Sequence, residues 1–239
     1  MHFECIIRTH VGCRRKINED AMLSRPDLGL WAVADGMGGH DAGEVASARV
    51  VDLLGSCAAQ STLASRIESA HQALQEANRQ LLTMAGGPGG SRTIGSTVVL
   101  MAVDAHSFAC LWVGDSRAYM ARRGELKQLT HDHSLVQQLV DVGDLDPSAA
   151  ARHPNANIIT RAVGSAPELV IDSVDGKVLD GDVFLLASDG LTRLLSDTEI
   201  LDGLLATDLE GAANRLIDTC LARNAPDNVT FIILKGHYT

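Results

Sequence analysis

A short glycine-rich stretch, DGMGGH at 35–40, comes directly after the apolar run LWAVA, which is typical of a buried strand. Three glycines beside an acid exceed what a simple turn requires, so the backbone here is expected to approach another group closely. Apolar runs also end in an acid in LWVGD and LLASDG. Five acids recur in such settings: Asp35, Asp115 and Asp189 come at the ends of predicted strands, Asp227 immediately precedes the last predicted strand, and Asp20 follows Asn18 and Glu19.

Acids at strand ends are held by a rigid scaffold and can still point into one cleft. Carboxylates that converge repel one another, and the usual remedy is Mg²⁺ or Mn²⁺, which prefer oxygen ligands. The glycines after Asp35 would let a backbone carbonyl approach the same ion. A single Asp-Gly pair after a strand is more often a plain turn. Five acids at strand boundaries favour a shared site for divalent cations.

The composition bounds the class of protein. The chain has 239 residues, 46% of them hydrophobic, so one large domain over residues 1–239 can bury a full core. The formal net charge of −10 argues against binding to nucleic acid or to an anionic membrane. The five cysteines are scattered without CxxC spacing, which indicates free thiols in a reducing compartment. With neither a signal peptide nor an apolar run of transmembrane length, we expect a soluble, cytoplasmic protein.

Hydrophobic periodicity predicts strands and helices along the whole chain. The predicted strands are 3–9, 29–35, 95–104, 107–115, 117–124, 182–190 and 228–236, and the predicted helices are 41–56, 61–84, 131–143, 197–206 and 209–223. Ser61 is the expected N-cap of the second helix. The polar, proline-broken segment 144–157, called the flap below, is expected to lie on the surface. Strands too closely spaced for parallel crossovers favour antiparallel sheets covered by helix pairs, an α+β fold.

Eight short motifs, in this order and approximate spacing, resemble those of the type 2C protein phosphatases, the metal-dependent serine/threonine phosphatases, and the bacterial stand-alone form is the most similar. The motifs are RRKINED (14–20), DGMGGH (35–40), GST (95–97), VGDSRAY (113–119), LTHDHS (129–134), ITRAVG (159–164), LLASDGLT (185–192) and DNVTFII (227–233). The resemblance covers nearly the whole chain. It implies a four-layer α-β-β-α sandwich with two Mn²⁺ or Mg²⁺ ions in a cleft at one end of the two sheets.

The resemblance also assigns roles to particular residues. Asp35 would bridge the two ions, with the carbonyl of Gly36 on one of them. Asp189 and Asp227 would bind the second ion, and Asp20 would lie nearby. Glu19 would act through a water molecule. Asp115 would face a third, weaker metal position.

The implied reaction is hydrolysis of phosphoserine or phosphothreonine in proteins by a water that the two ions activate. Arg15, five residues before Asp20, matches the phosphate-binding arginine of the family, and its guanidinium can hold two phosphate oxygens at once. Arg14 is expected to be a solvated charge. No arginine stands six places after Cys13, so the cysteine-based phosphatase loop is not present, in agreement with a mechanism without a phosphoenzyme.

Two positions depart from the family pattern. Met37 stands where animal members have a histidine, the supposed general acid. His40 is the nearest alternative proton donor, with an ordinary pKa near 6.5, or it only caps or orients the following helix. Arg193 stands where the family usually has an acid that helps to hold the third ion. We therefore expect the two-ion core to persist and the third ion to bind weakly. His131 and His133 are expected to cap or pack rather than to bind metal.

Three other kinds of protein compete with a phosphatase, and one of them, a purely structural protein, would not need five strand-end acids. A non-catalytic phosphoprotein-binding module on the same fold would have lost metal acids, and these are all present. A two-metal hydrolase of nucleotides or nucleic acid would need a basic surface with aromatic side chains, which the acidic composition does not favour. The expected partners are phosphorylated proteins and a cognate serine/threonine kinase.

Overall fold

The computed structural model describes residues 2–39, 42–87, 93–150 and 152–237, and the side chain of His2 is left aside. These residues form strands β1 His2–His10, β2 Asp20–Arg25, β3 Leu30–Gly38, β4 Ile94–Ser96, β5 Val98–Val103, β6 Ser107–Val113, β7 Arg117–Arg122, β8 Glu125–Gln128, β9 Asp172–Lys177, β10 Val183–Ala187 and β11 Val229–His237. The helices are α1 Ala42–Gly55, α2 Leu63–Met84, α3 Leu135–Asp141, α4 Pro147–Ala150, α5 Asp189–Thr192, α6 Asp197–Leu204 and α7 Leu209–Ala222.

The strands form two sheets. The first sheet has the order β1-β11-β10-β7-β8. The second has the order β2-β3-β5-β6-β9, with β4 paired to the end of β3. Every pairing between these strands is antiparallel, as the close strand spacing predicted.

Side-chain alternation along single strands explains how the layers stack. In β3, Trp31 and Val33 join the core between the two sheets, whereas Leu30, Ala32 and Ala34 face α1 and α2. In β10 the alternation is the same, with Phe184 and Leu186 between the sheets and the intervening residues against α6 and α7. Each sheet therefore buries both faces, and the expected four-layer α-β-β-α arrangement is confirmed.

Several element boundaries differ from the prediction, each for a local reason. β2 lies where the sequence shows only a charged loop and a short mixed segment, and its partner β3 supplies the missing signal. The predicted strand 95–104 is divided at Thr97, whose backbone N–H turns to the carbonyl of Asp35 at 2.8 Å. Ser61 was the wrong N-cap: Thr62 caps α2 and accepts the N–H of Ser65 at 3.1 Å.

Within the described parts of the chain, none of the helices combines the length and the apolar character needed to cross a bilayer.

Candidate metal centre

Two of the predicted acids lie side by side at one end of the second sheet. Asp20 is the first residue of β2 and pairs in register with Asp35 of β3. Directly opposed residues on an antiparallel pair have Cβ atoms about 4.5–5.5 Å apart on the same face. The strand register thus brings together two acids that are distant in sequence.

The backbone of Asp35 is fixed by three buried hydroxyl residues. Thr97 Oγ1 accepts the N–H of Asp35 at 3.1 Å, and the hydroxyl of Ser96 donates to the carbonyl of Asp35 at 3.0 Å. Ser116 Oγ lies 2.7 Å from Thr97 Oγ1. Each of the three residues is at most 1% exposed. The position from which the Asp35 carboxylate projects is therefore rigidly defined.

Asp189 and Asp227 come from the first sheet. Asp189 begins α5 just after β10, and Asp227 precedes the neighbouring strand β11. Gly190 makes this junction possible, because a Cβ at that position would lie 1.8 Å from the carbonyl oxygen of Asn228. The two acids therefore start from adjacent strand ends that are packed backbone to backbone.

A hydroxyl joins the two sheets at the site. The Ser188 hydroxyl, which follows β10, donates to Asp20 Oδ2 at 2.9 Å. The backbone N–H of Thr230 in β11 donates to Ser188 Oγ at 3.0 Å. Asp20 of the second sheet is thereby tied to the ends of two strands of the first.

Glycines 36 and 43 allow Glu19 to approach the site. The N–H of Gly36 donates to the carbonyl of Glu19 at 3.0 Å. A Cβ on Gly36 would lie 1.9 Å from the carbonyl oxygen of Gly43, and a Cβ on Gly43 would lie 2.3 Å from Glu19 Oε1. The unusual glycine content of DGMGGH is thus explained in part by the close approach of the first turn of α1.

The electrostatics of the site are those of crowded acids. Burial, reinforced by repulsion from Asp189 and Asp227, raises the pKa of Asp20 to about 7. Burial, reinforced by repulsion from Asp189, likewise raises the pKa of Asp115 to about 7. The pKa of Asp35 is raised well above its ordinary value by burial and by repulsion from the other acids of the cluster. Such a cluster favours protons or cations.

Three buried carboxylate oxygens in the described residues have no hydrogen-bond partner, namely Asp20 Oδ1, Asp115 Oδ1 and Asp189 Oδ1. An unpaired buried acceptor is costly unless something binds it. All three belong to acids of the cluster, and hard oxygen donors are the ligands of Mg²⁺ and Mn²⁺. The chemistry of this donor set therefore fits divalent cations.

Two arginines compensate the acids. Arg15 lies 2.8 Å from Asp227 Oδ2 and 3.4 Å from Glu19 Oε2. Arg193 lies 3.0 Å from Asp115 Oδ2 and 2.9 Å from Asp189 Oδ2. As they stand, no three or more Asp, Glu, His or Cys side chains of the described residues are arranged to hold one ion. Ion binding would require Asp227 and Glu19 to turn from Arg15, whereas Asp115 and Asp189 each keep one oxygen unpaired beside Arg193.

Three of the five acids, together with Glu19 and Arg15, open onto one cleft of about 280 Å³. It is lined by Arg15, Glu19, Asp35, Asp189 and Asp227, together with Gly36. Asp115 lines an adjoining cavity instead, and Asp20 lies behind the cleft against Ser188. The structure thus brings the predicted residues to one end of the sheets, with Asp115 on the far side of Arg193.

The remaining predicted site histidine, His40, lies outside the described residues. His133 is buried and stacks on Trp112 with ring centroids 6.2 Å apart. Its Nδ1 accepts the N–H of Gly114 at 3.1 Å, and burial lowers its pKa although Asp172 opposes the shift. His131 pairs with Asp141 at 2.8 Å. His133 therefore packs in the interior, as expected, whereas His131 is exposed and pairs with an acid instead of capping or packing.

Sequence reasoning missed the residues that hold the site in place. The hydroxyl residues around Asp35 and Asp20 lie within the motifs GST, VGDSRAY and LLASDGLT, but nothing in the sequence marks them as supports of the acids. Asn228 was overlooked as well: its side chain accepts the N–H of Glu19 at 2.8 Å and donates to the carbonyls of Val11 and Ile17. It fastens the loop that carries Arg15 to β11. The signal that could have found it is a polar residue inside an otherwise apolar strand start.

The comparisons with known proteins agree with this architecture. Residues 13–215 match the family described as Protein phosphatase 2C. The chain is 34% identical to the Serine/threonine phosphatase stp of Listeria welshimeri, over 98% of this chain and 96% of the relative. It superposes with a TM-score of 0.90 and 40% identity on PppA, a key regulatory component of T6SS in Pseudomonas aeruginosa, covering 98% of each chain. The catalytic domain of the serine threonine protein phosphatase PstP, solved in complex with 2 manganese ions, superposes with a TM-score of 0.85 and 31% identity over 99% of each chain. The chain therefore belongs to the protein phosphatase 2C family.

Proposed function

We propose that the protein is a metal-dependent phosphatase that removes phosphate from phosphoserine and phosphothreonine in proteins, and that residues 1–239 act as one catalytic domain. The observation that carries the proposal is the set of three unpaired, buried carboxylate oxygens on acids from both sheets, beside a cleft that Arg15 also lines. A non-catalytic module would have no need to keep repelling acids in a partly buried cluster.

The metal ligands we propose are Asp35 and the Gly36 carbonyl, Asp189 and Asp227, with Asp20 and Glu19 supporting them and Asp115 at a further position. Two Mn²⁺ or Mg²⁺ ions held there would lower the pKa of a water and withdraw charge from the phosphate. Ser188 and Thr97 would orient the acids through Asp20 and the Asp35 backbone.

Arg15 would bind the phosphate of the substrate. Its side chain is 46% exposed, and it lies at the mouth of the cleft between Asp227 and Glu19. When those acids turn to a cation, the guanidinium is free to donate two parallel hydrogen bonds to phosphate oxygens. His40 remains our candidate proton donor to the leaving serine or threonine oxygen.

The proposed role in the cell is signalling by dephosphorylation, in opposition to a serine/threonine kinase. The relatives named serine/threonine phosphatases support a phosphoprotein substrate for this chain. The five cysteines are all free thiols, and this supports a cytoplasmic location.

The experiment that tests the proposal compares a phosphothreonine peptide with a phosphotyrosine peptide of the same sequence, each with Mn²⁺, with Mg²⁺ and with EDTA. We expect turnover of the phosphothreonine peptide with either ion and loss of turnover to background with EDTA, because the proposed nucleophile is a water that the ions activate. Preference for phosphotyrosine would contradict the substrate assignment, and turnover that survives EDTA would contradict the metal mechanism.

A further inference from the structure

Arg193 lies at the centre of the site but is no part of the family's metal pattern. It is the C-cap residue of α5, one turn after Asp189, and its backbone N–H donates to the carbonyl of Asp189 at 2.9 Å. From this position the Arg193 side chain reaches the carboxylates of Asp115 and Asp189. The Arg193 side chain is 30% exposed, so it is partly shielded from solvent.

The guanidinium bridges two acids. Nη2 lies 3.0 Å from Asp115 Oδ2 and 2.9 Å from Asp189 Oδ2. In each acid the other oxygen, Oδ1, is buried and unpaired. Each carboxylate therefore gives one oxygen to the arginine and keeps one available to a cation. A fixed positive charge thus sits where the resemblance places a third ion.

The same guanidinium also holds the flap. Nη1 donates to the side-chain oxygen of Asn157, and Nη2 donates to the backbone carbonyl of Ala156 at 3.2 Å. Ala156 and Asn157 end the flap, and Asn157 lines the cleft. Arg193 lines both this cleft and the adjoining cavity of about 190 Å³ under Pro147 and Ala150. It forms part of the wall between the two.

We propose that the Arg193 guanidinium holds the end of the flap against the Asp115–Asp189 pair, and we call these contacts the latch. As a covalently attached cation, Arg193 would take the place of a third metal ion in positioning the flap beside the cleft. Three of the four contacts are made by Nη2 and the fourth, to Asn157, by Nη1. A lysine has one nitrogen in place of these two, so it cannot hold the Asn157 oxygen together with the other three groups. A covalently attached charge is present at every metal concentration, so the flap needs no weakly bound ion to stay in place. The inference uses the proposed metal site but does not depend on catalysis.

The experiment measures amide hydrogen exchange of the full-length protein in EDTA. The reporters are the amides of Ala156 and Ile158, which donate within the flap at 3.0 and 3.1 Å. In Arg193→Lys we expect these amides to exchange about tenfold faster or more, the loss expected for hydrogen bonds from a charged donor, with β11 amides unchanged. Asn157→Ala, an exposed change that leaves both acids paired, should accelerate the same amides by a smaller factor.

Arg223→Lys is the matched control, since Arg223 is the C-cap residue of α7 and pairs with Glu199 away from the flap. It should leave the reporter amides at the wild-type rate. Wild-type exchange of Ala156 and Ile158 in Arg193→Lys would overturn the latch, and so would a uniform acceleration that includes β11. Because neither metal nor substrate is present, this result is independent of whether the protein is a phosphatase.

A calorimetric Mn²⁺ titration of Arg193→Asp tests the replaced ion. We expect the variant to bind one Mn²⁺ more than the wild type, because the substitution removes a cation and adds a ligand. If the wild type and the variant bind the same number of ions with the same affinities, Arg193 does not stand in for an ion.

Discussion

Replacement of Asp35 by asparagine is expected to lower kcat for a phosphothreonine peptide by about a thousandfold or more, equivalent to roughly 4 kcal/mol of transition-state stabilisation. Asp35 lies opposite Asp20 in register, and its pKa is raised by burial and by Asp189, Asp20, Asp115 and Asp227 in turn. A neutral amide in its place would remove the charge that two cations share.

The same substitution is expected to stabilise the protein in EDTA. Folding raises the pKa of Asp20 from 3.8 to about 7, and an acid with a raised pKa costs stability as pH rises from its unfolded pKa to its folded one. Asp35 shifts in the same direction, so the gain in melting temperature from Asp35→Asn should be small at pH 4.5 and larger at pH 7.5. Below that window the carboxyl is already neutral.

Steady-state kinetics test the expected fall in kcat, and thermal melting tests the expected rise in melting temperature. The control is Asp218→Asn, at an exposed acid of α7, which should change neither kcat nor the melting temperature. A variant that keeps a tenth or more of wild-type kcat would show that Asp35 is not the shared ligand. A fall in melting temperature at pH 7.5 in EDTA would show that the acid cluster is not under repulsive strain.

Replacement of Arg15 by alanine is expected to raise KM for the phosphopeptide by about tenfold to a hundredfold, or about 1.4–2.8 kcal/mol of binding. Arg15 is the cleft arginine that lies beside Asp227 and Glu19 without contacting the flap. Charge-assisted, bidentate contacts to phosphate carry binding energy of this size. The change in kcat should be smaller than the change in KM, because the acids remain in place.

Arg14→Ala is the matched control for Arg15. Arg14 is the exposed neighbour in sequence and is expected to alter KM by less than about twofold, as a solvated surface charge does. Equal changes in KM for the two substitutions would show that Arg15 adds only general positive charge and does not bind the phosphate directly. Arg15→Lys should keep more of the affinity than Arg15→Ala, because lysine retains the positive charge but lacks the two parallel N–H donors of the guanidinium.

Most of the strands and the acids were predictable because they leave local signals, whereas the four layers were expected from the family resemblance. Apolar runs such as LWAVA and FLLA mark buried strands, and the acids follow them directly. β2 was not predictable in this way, because its burial is set by β3 and α1 rather than by its own composition. Strand pairing is a property of two segments, and one segment read alone does not carry it.

The residues that hold the acids in place by hydrogen bonds could not be predicted from the sequence either. Ser188, Thr97 and Asn228 act through hydrogen bonds to residues more than sixty positions away in the chain. The replacement of an acid by Arg193 was visible, but its four contacts were not, because they depend on where the flap ends in space. Residue types predict what chemistry a site can do, and the fold decides which side chains meet.

The most direct measurement of the central claim is anomalous diffraction at the manganese edge from crystals of the protein soaked in Mn²⁺. We expect two anomalous peaks between the ends of the two sheets, with Asp35 touching both and Asp189 and Asp227 on one of them. The absence of any peak between these carboxylates, with Asp20, Asp35, Asp189 and Asp227 turned away from one another, would contradict it.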